Sequence, residues 1–262
     1  GAPTLPMTPM PFMGVPSAQN PDAFTGAGYH GPFAPEYDRF IVSPAHYALV
    51  IYSALIEMGR MGEDALEHFN RDGGSVEMIG AEHSPGMEVT TGSLAQGLSM
   101  AAGIAWARKR KGEPGKVWVF MSDGEFQEGQ TWECLAALNH HGIDNVGVIV
   151  DVNRQQCDGA MSDVLDLGDL ASRIASFGAT VRSVDGHDLG ALRSAATSFE
   201  PGRSLFVLAN TSPFQGMPYL ERRFPRLHYV RFKSAQEKQD MQAAIARELG
   251  IPDQELEALS HG

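Results

Sequence analysis

Two side chains with hard oxygen donors stand thirty residues apart in this chain of 262 residues, Asp123 and Asn153 (153 − 123 = 30). Asp123 lies in Ser122-Asp123-Gly124-Glu125, and Asn153 in Asp151-Val152-Asn153-Arg154-Gln155. A carboxylate and an amide carbonyl suit Mg2+ or Ca2+. The backbone carbonyl of Gln155, two residues on, could supply a third protein ligand, with phosphate oxygens and a water completing an octahedron. Each residue also has a plainer reading, Asp123 as a helix N-cap and Asn153 as a turn residue, since both types favour such places. The metal reading therefore depends on whether the chain brings the two together.

The flanking elements predict that it does. Val117–Met121 is a short apolar run of β-branched and aromatic residues, which reads as a buried strand. It ends at Ser122-Asp123-Gly124, where glycine permits a sharp turn. Residues 131–141 place Trp132, Leu135, Ala136 and Leu138 at helical spacing, with Gly142 as the stop. Val146–Val150 is a second buried strand, and 151–155 is its exit. Strand, helix, strand in that order predicts adjacent parallel strands with Asp123 and Asn153 at their carboxyl edge, where open α/β sheets bind ligands. Further on come a helix over Leu165–Phe177, a strand over Ala179–Val184, a helix over Leu189–Phe199 capped by Asp188, and a strand over Ser204–Ala209. This alternation predicts an α/β fold with a parallel sheet and helices on both faces. Upstream, a strand ends at Ser43 and a helix follows carrying Tyr47, Leu49, Val50, Ile51, Ala54 and Leu55. A short amphipathic helix is expected over Gly62–Asn70 and a small-residue helix over Leu98–Arg110. Helices over Gln236–Leu249 and Ile251–Leu259 close the chain.

A net charge of −12 argues against a nucleic-acid surface. It does not argue against an anionic cofactor, because a metal ion and helix amino ends hold phosphates locally. No apolar run approaches membrane-spanning length, and no signal-peptide pattern opens the chain. Cys134 and Cys157 lack CxxC spacing, so they are expected to be reduced thiols in a cytoplasmic protein. Prolines at 3, 6, 9, 11 and 16 exclude a long helix near the start. The expected division is an N-terminal Pro/Met/Gly-rich segment over 1–36, an α/β domain over 37–232 and a helical segment over 233–262.

The spacing of Asp123-Gly124 and Asn153 resembles the thiamine-diphosphate motif of transketolases. Glu125, Glu128-Gly129-Gln130, Trp132-Glu133 and Asp151-x-Asn153 also fall where the amino-terminal halves of transketolases have them, with Ser122 in place of a more usual glycine. The resemblance implies that Asp123, Asn153 and Gln155 hold Mg2+ (or Ca2+), and through it thiamine diphosphate, with Gly124 and Glu125 beside the cofactor. Asp38–His46 resembles a second block of the family, with Ala45 where glycine is usual. It implies that His46, at a helix start, reaches diphosphate or substrate; the alternative is a histidine satisfied by local backbone. Met87–Gly97 resembles a third block, which implies that Gly92, Ser93 and Leu94 lie against the cofactor rings; the alternative is an ordinary turn into a helix. His83, upstream of that block, is carried over as a diphosphate neighbour, or is an exposed loop residue. Asp185-Gly186-His187-Asp188 matches a further block, with His187 either near the cofactor edge of the sheet or, the favoured reading, holding the turn. Residues 210–230 occupy the place of a segment whose Lys-Gly is replaced here by Pro213-Phe214-Gln215-Gly216; His228 there is implied to bind diphosphate and substrate oxygens. Glu128 is implied to sit at a domain interface and communicate proton state; a surface helix residue is the alternative. A Gly-His pair that opens the family's first helix has no match. His30 is the one candidate, in a different context, and Gly1 is not an initiator Met.

The resemblance spans roughly 38–230 and covers one half of a transketolase. It implies the amino-terminal subunit of a split enzyme, paired with a separate C-terminal subunit in an α2β2 heterotetramer. Its implied activity is transfer of a two-carbon ketol unit from a ketose or ketose phosphate to an aldose, with His46, His83 and His228 supplying proton transfer and hydrogen bonds to sugar hydroxyls. Two other readings are the α subunit of a 2-oxo-acid dehydrogenase and a non-catalytic scaffold partner. The blocks at Ser43–His46, Thr90–Gly97 and Asp185–Asp188 weigh against the first, and Asp123 with Asn153 against the second.

Overall fold

Near-continuous apolar runs build the central sheet. The computed structural model describes residues 18–21, 25–228 and 231–251. Its main strands are β1 (Arg39–Val42), β2 (Val117–Ser122), β3 (Val146–Val152), β6 (Thr180–Asp185) and β7 (Leu205–Asn210), with a two-residue hairpin of β4 (Gln155–Gln156) and β5 (Gly159–Ala160) between. The five main strands are all parallel, in the order β1-β2-β3-β7-β6. Ser122 stands beside Asp151, and Asp151 beside Ala209, so the exits of β2, β3 and β7 share one edge.

Helices cover both faces. On one, α2 (Gln96–Lys111), α3 (Gly129–His140) and α5 (Leu170–Ser176) bury Leu98, Ala101, Leu135, Leu138 and Ile174 against Val119, Val148 and Phe206. On the other, α1 (Ala48–Glu57) packs Ile51, Tyr52 and Leu55 near Val42 and Phe120, while α6 (Leu189–Ala196) covers Leu205 and Val207. A four-residue α4 (Met161–Val164) and a terminal α7 (Ala235–Leu249) complete the order. The small residues of α2 let it approach the sheet closely: a Cβ added to Gly97 would sit 2.7 Å from the Ser43 Cα.

Several boundaries move from expectation. The helix expected over Leu165–Phe177 starts only at Leu170, because Gly168 takes a left-handed φ of 61° and Asp169 caps the new start through Ser172 N–H. Gly62–Asn70 forms a 3-10 helix over Glu63–His68. Asp188 caps α6 as expected, accepting from Gly190 and Ala191 N–H, but the helix ends at Ala196. Residues 1–17, 22–24, 229–230 and 252–262 lie outside the described residues, and with them most of the N-terminal segment and all but the first residue of the helix expected over Ile251–Leu259.

Candidate functional site

Ser122 ends β2 and caps the 3-10 turn Asp123–Gln127 through a capping box with Glu125. The N-cap role expected for Asp123 thus falls one residue earlier. Asp123 is left 3% exposed, with its Oδ2 accepting the Arg154 N–H at 2.7 Å. Its Oδ1 is buried and has no hydrogen-bond partner among the described residues. Burial pushes the Asp123 carboxyl up to about 7, and the charge of Asp151 adds to that, against the opposing N–H groups of Arg154 and Gly124. Arg154 reaches Asp123 from a left-handed backbone conformation, φ 60°.

Asn153 is held by a network that the spacing alone did not reveal. Its Nδ2 donates to Asp151 Oδ2 at 2.7 Å and to the Tyr47 hydroxyl at 3.2 Å. Tyr47 in turn donates to Asp151 Oδ2, and the Thr211 hydroxyl donates to Asp151 Oδ1. With its nitrogen pinned, the amide directs Oδ1 toward the loop, where it accepts the Gln155 N–H at 2.8 Å and keeps a second lone pair. Gln155 pairs with Ala160 in the hairpin, and its side-chain Oε1 is buried without a partner among the described residues. The side chain is therefore an oxygen donor that the expectation of a backbone ligand overlooked.

These donors fit a hard cation bound through phosphate. Two buried oxygens, on Asp123 and Gln155, have no hydrogen-bond partner among the described residues, and the Asn153 amide oxygen is oriented by the Gln155 N–H. Among the described residues no three His, Cys, Asp or Glu side chains form a metal cluster. One carboxylate with amides matches a cation that takes its remaining ligands from phosphate and water.

A cleft of about 640 Å³ opens over this edge, lined by His46, Tyr47, Gly92, Leu94, Gly124, Glu128, Asn153, Gln155, Leu227 and His228, among others. A Cβ on Gly92 would meet nothing within 4 Å, so the backbone there leaves room for a ligand. Leu94, Ile79 and Leu227 give the cleft an apolar wall. Burial lowers the His46 pKa, and His228, whose ring centroid lies 5.5 Å away, lowers it further. Exposed Glu128 stands at the start of α3.

Other candidates lie elsewhere. Glu125 is fully buried and, like Asp123, absent from the cleft wall. Its carboxylate accepts from the Ser43 hydroxyl at 2.5 Å, the Ala95 N–H at 2.7 Å and the Ser122 N–H at 2.9 Å. It joins three chain segments and has no oxygen left for a cofactor. Ser93 is exposed and outside the wall. His83 lies off the wall and pairs with Glu77 at 2.9 Å. His30 bonds the Gly86 carbonyl oxygen at 2.6 Å. His187 accepts the Ser212 N–H at 2.8 Å, which ties its turn to the loop after β7. Cys134 is buried and Cys157 exposed on the cleft, both as free thiols.

Comparison with known proteins points to one family. A family model described as the transketolase thiamine diphosphate binding domain matches residues 23–204. The transketolase family protein y4mO of Sinorhizobium fredii is 39% identical over 216 residues, 80% of this chain and 77% of that protein. The 6-deoxy-6-sulfo-D-fructose transketolase subunit SqwG of a Clostridium species is 31% identical over 195 residues, 73% of this chain and 71% of its own length. The solved transketolase of Leishmania mexicana has a similar fold, with a TM-score of 0.63 at 23% identity; the match covers 89% of this chain and 40% of that one.

Proposed function

Since the chain belongs to the transketolase family, we propose that it is the thiamine-diphosphate-binding subunit of a split transketolase. It transfers a two-carbon ketol unit from a ketose or ketose phosphate to an aldose. The observation that carries this reading is the buried Asp123 Oδ1 without a partner, beside the oriented Asn153 amide at the exits of β2 and β3. In this reading Asp123, Asn153 and Gln155 hold Mg2+, which anchors the diphosphate. Thiamine diphosphate, when bound, supplies the carbanion chemistry that breaks and makes the C–C bond.

The chain's own residues bind, orient and exclude water. Leu94 and Ile79 present apolar surface to the rings, and Gly92 leaves the space they fill. Burial lowers the His46 pKa and so favours the neutral ring, which can accept a proton from a sugar hydroxyl and, once protonated, return it. His228 stands beside it for the same oxygens. Glu128, exposed at the cleft, faces the partner. A separate C-terminal subunit completes the site in an α2β2 assembly in the cytoplasm. Support for the split comes from SqwG, a relative that is itself named as one subunit of a transketolase and is matched over 71% of its length.

Calorimetry of the two-subunit complex with thiamine diphosphate and Mg2+ tests this reading. Binding is expected for the native complex and lost for Asp123→Ala, with the far-ultraviolet circular dichroism unchanged. Full ketol-transfer activity in that variant would overturn the assignment, and decarboxylation of a 2-oxo acid by the native complex would move it to the 2-oxo-acid dehydrogenases.

A further inference from the structure

The turn that carries Leu94 into the cleft wall is pinned at one peptide unit. The Leu94 carbonyl accepts from Gln130 Nε2 at 2.7 Å, and the Ala95 N–H donates to Glu125 Oε1 at 2.7 Å. These are the two polar groups of the peptide between residues 94 and 95. Both clasps come from the segment that holds Asp123, although Gln130 lies 36 residues from Leu94 in sequence. Ala95, on the far side of the pinned peptide, is fully buried and takes a left-handed φ of 67°. A Cβ disfavours that conformation, which glycine adopts freely. An alanine stays there because its surroundings hold it.

The two clasps differ in what else they do. Glu125 also binds Ser43 and Ser122 in the interior, so it serves the packing of several segments at once. Gln130 is half-buried near the start of α3 and absent from the cleft wall, while Leu94 is 38% exposed on that wall. Rotation of the 94–95 peptide would return Ala95 to the negative φ that alanine prefers. The same rotation changes the ψ of Leu94 and so moves the turn that carries its side chain. The hydrogen bond from Gln130 opposes it.

We propose that Gln130 is a positioning residue: by holding the Leu94 carbonyl it keeps the left-handed turn in place, and with it the apolar side chain that meets the cofactor rings. The proposal rests on the thiamine diphosphate reading of the cleft. It gives the two ends of that cofactor separate supports. Gln130 acts on the ring end through Leu94, whereas Asp123, Asn153 and Gln155 act on the diphosphate end through the metal. A ligand that has the diphosphate but no rings is therefore indifferent to Gln130.

The two-subunit complex in Mg2+ is titrated calorimetrically with thiamine diphosphate and with inorganic diphosphate, beside Gln130→Met, which keeps the length of the side chain and removes its donor. Thiamine diphosphate should bind the variant about fivefold more weakly, as expected for one neutral hydrogen bond, with inorganic diphosphate unchanged. Ala95→Gly/Gln130→Met should regain most of the loss, because glycine adopts the left-handed turn without the clasp. A side chain that served the fold alone would weaken both ligands or neither. Unchanged thiamine diphosphate affinity in Gln130→Met, an equal loss for the two ligands, or no recovery with glycine would each overturn the proposal and leave the cofactor reading standing. Failure of the native complex to bind thiamine diphosphate would overturn the cofactor reading, and this proposal with it.

Discussion

Asp123→Asn separates a metal ligand from a turn residue, because the two roles predict opposite effects on stability. Burial raises the Asp123 carboxyl from its ordinary 3.8 to about 7. Between those values the unfolded chain has released the proton while the folded chain retains it. Stability without metal therefore falls as pH rises through the window and stays low above it. A rise of roughly three units at ~1.36 kcal/mol each makes the full loss on the order of 4 kcal/mol. An asparagine removes the charge but brings an amide that lacks buried partners, which costs about 2 kcal/mol. The net expectation at pH 8, in chelator, is a variant more stable by about 2 kcal/mol, or ~4–8 °C in Tm for a chain of this size. At pH 4 the native carboxyl is largely protonated and the variant should be no more stable than the native chain. Adding Mg2+ and thiamine diphosphate should reverse the order. The native protein gains about 2.7 kcal/mol at a hundred times Kd, and the variant gains much less. Thermal melts of both proteins from pH 4 to 8, with and without the ligands, read all of this. A variant less stable than native at pH 8 in chelator, or a difference that does not change with pH, would refute the reasoning.

Asp151→Asn should lower Mg2+ affinity about 10–100-fold, since three donors converge on that carboxylate and its loss frees the Asn153 amide to rotate; a Mg2+ titration with thiamine diphosphate measures it. Glu125→Gln should cost about 3 kcal/mol in urea denaturation, because an amide nitrogen would face protein donors in place of a carboxylate oxygen. Cofactor affinity of the protein that remains folded should be unchanged. Gly97→Ala should cost ~1–3 kcal/mol by forcing α2 from Ser43. Gly103→Ala, on the same helix with nothing within 4 Å, should instead stabilise by ~0.5–1 kcal/mol.

The strands at 117–122 and 146–152 were legible because buried parallel strands are nearly continuous apolar runs. Asp123 and Asn153 were legible because each stands at a strand exit, where the sheet topology fixes its address. Helix limits were less so: Leu165 and Leu167 keep the helical spacing, but Gly168 breaks the backbone and Asp169 starts it again. Asp151 carried a signal that spacing could have exposed, since it lies two residues before Asn153 and so on the same side of the strand. Glu125 carried no such signal. It sits two residues from Asp123 in the same motif and is equally buried, yet its partners Ser43 and Ala95 lie 82 and 30 residues away in sequence. Only the folded chain shows that every side of one carboxylate is filled by protein, while the other keeps an oxygen with none. Site and strut here differ in the number of donors that reach them, and that number is set by tertiary packing. The histidines divide by their place in the fold. His30 and His187 are taken up by chain groups far away in sequence, while His46 and His228 stand ring against ring on the cleft wall.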